Sequence, residues 1–339
     1  MSTNGAVTEP LLEVRDLVVR YPEPRGLADT ALRRPPRFVH AVSGVSFGVG
    51  RGEMVALVGE SGCGKTTTAQ AFLRLVKSDA GAVRFDGIDV NALSHRELRR
   101  LRRRMQLIYQ DPYESLDPRF RVRTTVEEPL AVHRIGSKRE RREAVGQALE
   151  HAGLSPASLF VDRFPHELSG GQRQRVAIAA SLVLDPDLLV ADEPVSMLDV
   201  SVRAGILAIL DGLRQRGLAV LMITHDLSTA ARFADRICVM YLGRIVEEGP
   251  ARQVIERPQH PYTKALLSVV PRRDPRRRVT AQILRGETPN PVEVPIGCRF
   301  HPRCPIATDE CRVTDPVLRG PASGDASPHR AACLLAWGD

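Results

Sequence analysis

The sequence predicts an α/β protein, and three stretches carry that prediction. In "MVALVGESGCGKTTTAQAFLRL" (54–75) an apolar run reads as a buried strand and leads through a glycine-rich turn into the opening of a helix. In "DLLVADEP" (187–194) a second apolar run ends in two carboxylates. Between them, "SKRERREAVGQALEHAGL" sets Val145, Leu149 and Leu154 at helical spacing and closes near a glycine.

The chain has 339 residues, enough for one large domain with an appendage or for two modest domains. Hydrophobic residues at 43% and charged residues at 26% are ordinary for a globular protein. A net charge of +8 suits an acidic ligand, nucleic acid or a membrane-facing partner without choosing among them. No apolar run reaches the roughly 18–20 residues that span a bilayer. The N-terminus "MSTNGAVTEPLLEVRD" lacks the charged-then-apolar layout of a signal peptide. A reducing, cytosolic location follows as the expectation, where structural disulfides are rare.

Gly59 to Thr66 fit the spacing G-x-x-x-x-G-K-[ST]. The turn of Gly59, Glu60, Ser61, Gly62, Cys63 and Gly64 offers backbone N–H groups to a phosphate, and the helix N-terminus behind it, with Thr67, adds a positive dipole end. Lys65 is expected to reach the β- and γ-phosphates, and the Thr66 hydroxyl to ligate Mg²⁺. In the second strand Asp192 is expected to hold Mg²⁺, directly or through water, and Glu193 to polarise the attacking water. Hydrolysis needs both, because the metal neutralises phosphate charge while a separate group orients the nucleophile.

The run "ELSGGQRQRVAIAASLVLDPDLLVADEP" (167–194) joins a glycine-rich turn to a helix and then to the acidic strand. Here the chain closely resembles the nucleotide-binding subunit of ATP-binding cassette (ABC) transporters. "LSGGQ" (168–172) matches the family signature. The resemblance implies that Ser169, Gly170, Gly171 and Gln172 serve the nucleotide held by an opposing subunit, so two such domains close face to face. Gln110 in "LIYQDP" matches the loop that senses the γ-phosphate, adds to the Mg²⁺ ligands and contacts the permease. "SMLD" (196–199) matches the loop between the two sites and supplies Asp199, with Met197 where Ala is more usual. His225 in "VLMITHDL" matches the switch histidine, which contacts the γ-phosphate and holds Glu193. Tyr21 in "VVRYPEP" matches the aromatic that stacks on adenine. An insertion over 22–38, mobile by its proline and arginine content, departs from the family here and makes Phe38 the alternative.

"YQDPYESLDPRF" (109–120), "DEPVSMLDVSVRAGIL" (192–207) and "HPYTKALLSVVP" (260–271) resemble the oligopeptide/dipeptide/nickel importer branch. That branch implies two ATPase chains, identical or different, two permeases and an extracytoplasmic binding protein. It places the chain on the cytoplasmic face of a bacterial membrane. The six arginines between 96 and 104 lack interleaved aromatics, so a solvated helix face is favoured over nucleic-acid binding. In the family the stretch 112–182 is the helical subdomain that docks on the permease.

Four of the six cysteines, Cys298, Cys304, Cys311 and Cys333, lie in the last 42 residues, spaced C-x5-C-x6-C-x21-C. This is not the paired C-x2-C of most zinc ribbons. Four thiolates bind zinc or hold a [4Fe–4S] cluster, with unliganded, redox-labile thiols as the remaining alternative, and the resemblance to the branch's C-terminal extension favours the cluster. His301 and His329 are expected to pack rather than ligate, and Cys63 and Cys238 to stand apart from the site.

Together these readings give a P-loop ATPase of ABC type with a β-subdomain, a helical subdomain and a small irregular C-terminal domain. Residues 1–256 form the nucleotide-binding domain and 257–339 the cysteine-bearing extension. ATP and Mg²⁺ are the expected ligands and peptides the expected cargo, with nickel or another small solute as the alternative. A soluble ABC ATPase acting on ribosomes or nucleic acid is disfavoured, because such chains carry two cassettes or a long coiled-coil insertion and this one has neither. A regulatory subunit with a dead site is disfavoured because Lys65, Gln110, Ser169, Asp192, Glu193 and His225 are all present.

Overall fold

A computed structural model describes residues 9–24, 35–111, 116–269, 284, 286–321 and 328–337. Most of the insertion (25–34) and the arginine run 271–278 lie outside the described residues. The chain divides into two compact units. One is drawn from Met1–Leu11, Val49–Met54 and Ala92–Ile223, the other from Leu12–Gly48, Val55–Asn91 and Thr224–Asp339.

In the first unit the strands Met105–Ile108, Leu188–Asp192 and Ala219–Thr224 run parallel, with Met105 opposite Leu188 and Leu188 opposite Ala219. Every residue of the second and third of these strands is buried. Burial on both faces is why "LLVAD" and "AVLMIT" read as unbroken apolar runs rather than alternating ones. The helices Val122–Val132, Lys138–His151 and Gly170–Leu182 pack on one another, and the last of them also packs on Val200–Gln215. Their core includes Val122, Val126, Leu130, Val145, Leu149, Leu154 and Val176.

Ser137 and Glu140 start the helix Lys138–His151 reciprocally. The Ser137 hydroxyl accepts from the Glu140 N–H at 3.4 Å, and the Glu140 carboxylate accepts from the Ser137 N–H at 2.6 Å. Substituting Ser137 by Ala is expected to cost about 1 kcal/mol. Urea unfolding would show it as a lower midpoint with an unchanged slope, and an unchanged midpoint would make the cap dispensable. In the arginine-rich stretch, the helix His95–Leu101 buries Leu98 and Leu101 while Arg96, Arg99 and Arg100 stay exposed, and Arg104 pairs with Asp187 at 2.5 Å.

In the second unit an antiparallel sheet takes the order Phe38–Val49, Leu12–Pro22, Ala80–Phe85, Ile88–Asp89. Leu12, Val14, Leu17 and Val19 are buried, and the pairing with Ala80–Phe85 shifts register between Arg15 and Val18. The fully buried run that ends at Val58 is parallel to Arg236–Tyr241, with Val55 opposite Arg236 and Val58 opposite Val239. Arg244–Pro250 turns back antiparallel to Arg236–Tyr241, and the short strand Arg330–Ala331 pairs antiparallel on its far side. The run opens at its C-terminal end into the glycine-rich turn, where ligands of parallel α/β sheets characteristically bind. Among the described residues no helix is long and apolar enough to cross a membrane.

Candidate functional site

In the second unit the turn Gly59–Gly64 leads into the helix Lys65–Phe72. Gly64 caps that helix at φ +105°, and a Cβ there would stand 2.1 Å from the Ala41 carbonyl oxygen. Only glycine fits this position, which explains one of the motif's two invariable residue types from sterics alone. Lys65 is buried, and its Nζ donates to the Gly59 carbonyl at 2.7 Å and the Glu60 carbonyl at 2.9 Å. The ammonium thus braces the turn from inside. The Thr66 side chain is exposed at the helix start. The Cys63 thiol lies 3.9 Å from Lys65 Nζ, and burial pushes its pKa up despite that cation. It therefore stays a neutral packing group.

In the first unit Asp192 closes its strand and is buried, while Glu193 follows with a backbone φ of 45°. That left-handed conformation is unusual for a residue with a side chain, and such strain concentrates at functional positions. The surroundings hold it. The Glu193 N–H donates to the Ile223 carbonyl at 2.9 Å, and the Ser196 N–H and hydroxyl donate to the Glu193 carbonyl at 3.2 and 3.1 Å. Gln110 is brought to the same carboxylate, its Nε2 donating to Glu193 Oε2 at 3.3 Å. Within this unit the Asp192 carboxylate and the Gln110 amide are oxygen donors, the chemistry that Mg²⁺ prefers.

Ser169 caps the helix Gly170–Leu182, accepting from the Gln172 N–H at 3.3 Å while Gln172 Oε1 accepts from the Ser169 N–H at 3.0 Å. Gly171 has no side chain because the next helix approaches: a Cβ there would stand 2.3 Å from Val202 Cγ1. Asp199 is the exposed N-cap of the helix Val200–Gln215 and makes no side-chain capping bond. His225 is exposed at the end of a buried strand, next to Asp226, whose carboxylate caps Leu227–Phe233. Tyr21 is half-buried near the end of its strand, and Phe38 carries the Arg20 guanidinium 5.5 Å above its ring.

In the C-terminal region Cys298, Cys304, Cys311 and Cys333 line one cavity of about 10 Å³, together with Phe300 and Leu335. All four are free thiols. Burial, with the other three thiols nearby, pushes Cys298 up to about 11, and burial also raises Cys304 and Cys333. Among the described residues no group of three or more His, Cys, Asp or Glu is placed to hold a metal ion. His301 lines the same cavity with its Nδ1 2.9 Å from the Cys298 carbonyl oxygen, whereas His329 Nε2 is 2.7 Å from Glu247 Oε1. Phe300, almost wholly buried, anchors the region against Tyr241, Tyr262 and His260.

Three residues at the phosphate turn have no counterpart in the sequence reading. The Glu60 N–H donates to the Tyr262 hydroxyl at 2.9 Å, and the Glu60 carboxylate accepts from Thr288 and Arg303. No local pattern marks a partner 243 residues away.

Comparison with known proteins shows the family. Residues 42–196 match the ABC transporter family, and residues 246–311 match the C-terminal region of oligopeptide/dipeptide transporters. A Brucella ovis protein, named as a peptide import ATP-binding protein, is 48% identical over 326 residues, covering 96% of this chain and 98% of its own. The oligopeptide transport ATP-binding protein of Bacillus subtilis is 42% identical over 336 residues, 98% of this chain and 99% of that protein. Among solved structures, a dimeric ATP-binding cassette in a post-hydrolysis state bound to ADP and Pi superposes with a TM-score of 0.61 at 31% identity, covering 71% of this chain and 99% of its own. The chain belongs to the ABC transporter family, as an ATPase subunit that carries the C-terminal region of the oligopeptide/dipeptide branch.

Proposed function

We propose that this chain hydrolyses ATP to energise the uptake of peptides. The partners are a second ABC ATPase, two permeases and an extracytoplasmic binding protein, and the chain works at the cytoplasmic face of the bacterial membrane. The observation that carries the reading is the held carboxylate of Glu193, which follows a buried Asp192 and meets Gln110, in a chain that also braces a phosphate turn with Lys65. Gly59 to Thr67 bind the ATP phosphates and Tyr21 the adenine. Thr66, Gln110 and Asp192 hold Mg²⁺, which neutralises phosphate charge when bound. Glu193 takes the proton of the attacking water, His225 contacts the γ-phosphate, and Ser169 to Gln172 with Asp199 serve the site of the opposing subunit. Residues 1–256 act as the nucleotide-binding domain, with the permease-docking subdomain about 112–182, and 257–339 as the extension. Purifying the tagged chain from detergent-solubilised membranes tests the assembly. Two multi-spanning permeases and a second ATPase are expected to co-purify; recovery with ribosomes instead would contradict transport.

The four clustered cysteines are read as ligands of a [4Fe–4S] cluster, with zinc as the alternative. The support is that all four thiols line one small cavity, beside His260 and His301, and that thiolates suit an iron–sulfur cluster. The group would cross-link a region poor in apolar residues, and binding would draw protons off thiols that burial keeps neutral. Protein purified without oxygen is expected to carry about four iron and four acid-labile sulfide per chain, with both lowered in Cys311→Ser. Zinc without iron would select the alternative, and neither metal would overturn both.

A further inference from the structure

The phosphate turn carries an acid where an anion must bind. The Glu60 backbone carbonyl lies 2.9 Å from Lys65 Nζ, so its carboxylate belongs to the same few residues that receive the triphosphate. An unpaired negative charge there opposes binding. The C-terminal region takes that charge up. Glu60 Oε2 accepts from Arg303 Nη1 at 2.9 Å and from the Thr288 hydroxyl at 2.7 Å, and Oε1 accepts from Arg303 Nη2 at 3.3 Å. This is a two-pronged guanidinium–carboxylate pair, the strong geometry for such contacts. Its side chains are 9% exposed for Arg303 and 28% for Glu60, so water screens the pair less than it would at the surface.

Arg303 is fixed by the cysteine-bearing region. It closes the short turn His301–Arg303 directly before Cys304, and its guanidinium lies 5.9 Å from the centre of the Tyr241 ring. The same stretch of chain has a second hold near the phosphate turn. The His40 N–H donates to the Pro291 carbonyl at 2.9 Å, and Arg37 pairs with Glu293. Thr288, Pro291, Glu293 and Arg303 therefore tie 286–304 to Arg37, to His40 of the strand Phe38–Val49 and to Glu60.

We propose that Arg303 is a positioning residue for nucleotide binding: it neutralises the Glu60 carboxylate and holds it off the phosphate turn, which makes ATP affinity depend on the cysteine-bearing region. The inference rests on the assignment of Gly59–Thr66 as the ATP phosphate site. It gives the C-terminal region a role in this subunit's own nucleotide chemistry.

The test is the affinity of the full-length chain for a fluorescent N-methylanthraniloyl ATP, in Arg303→Met, Glu60→Gln and the double variant. Arg303→Met is expected to weaken binding about tenfold by leaving Glu60 unpaired, and more at low salt than at high. The double variant is expected to return within about twofold of wild type, because it removes the charge that Arg303 masked. A merely structural Arg303 would be rescued by neither salt nor Glu60→Gln. Wild-type affinity in Arg303→Met, or equal weakening in the single and double variants, overturns the proposal. Should Arg303→Met fail to fold, Arg303→Gln takes its place: it is expected to weaken binding about tenfold at low salt and less at high salt, and wild-type affinity there overturns the proposal. Lys65→Ala separates the two readings, since wild-type binding in that variant would sink the phosphate-site assignment itself.

Discussion

Glu193→Gln is expected to keep ATP binding and to cut turnover by about 10²–10⁴-fold, the usual contribution of a positioned general base. Glutamine keeps the size and the ability to meet Gln110, which donates to Glu193 Oε2 at 3.3 Å. It loses the carboxylate that accepts a proton from water. The backbone need not change, because the φ of 45° is held by the bonds to Ile223 and Ser196 rather than by the side chain. Closed ATP-bound dimers should therefore accumulate, since closure depends on nucleotide and the step that releases it is blocked. Phosphate release and nucleotide binding measured on one preparation check this. Wild-type turnover in the variant would remove Glu193 from the chemistry.

Gly64→Ala is expected to abolish ATP binding and to lower stability by about 3 kcal/mol or more, from two independent penalties. A φ of +105° is strained for any residue with a side chain, and the added methyl would sit 2.1 Å from a backbone oxygen that cannot rotate away. The helix start and the turn must then separate, which takes Lys65 off the Gly59 and Glu60 carbonyls. Thermal unfolding would show a midpoint lower by about 6–12 °C at 2–4 °C per kcal/mol. A variant that melts and binds nucleotide like wild type would contradict the geometry of the turn.

These two positions also mark what the sequence makes legible. Gly64 is readable because only one residue type fits its backbone, and Val145, Leu149 and Leu154 are readable because burial imposes a period. The Glu193 backbone strain is not readable, since a glutamate in a left-handed conformation looks like any other glutamate. Nor is the pair Glu60–Arg303. Its partners are 243 residues apart, and what joins them is the packing of Phe300 on Tyr241 and Tyr262. The strand Arg330–Ala331 is two residues long, too short for any alternation, and its place is set by His329 on Glu247 and Arg330 on Glu248. For the cysteines, irregular spacing does not reveal that all four line one cavity. Their convergence on one cavity depends on turns such as the Cys298 N–H to Cys311 carbonyl bond at 2.9 Å.

The most direct test of the central claim is ATP-driven uptake of a labelled oligopeptide into proteoliposomes that hold the co-purified complex, with the binding protein added outside. The account predicts uptake that requires ATP on this chain's side, falls to background with Glu193→Gln, and is matched by peptide-stimulated phosphate release. ATP hydrolysis indifferent to peptide and binding protein, with no label accumulated, would contradict it.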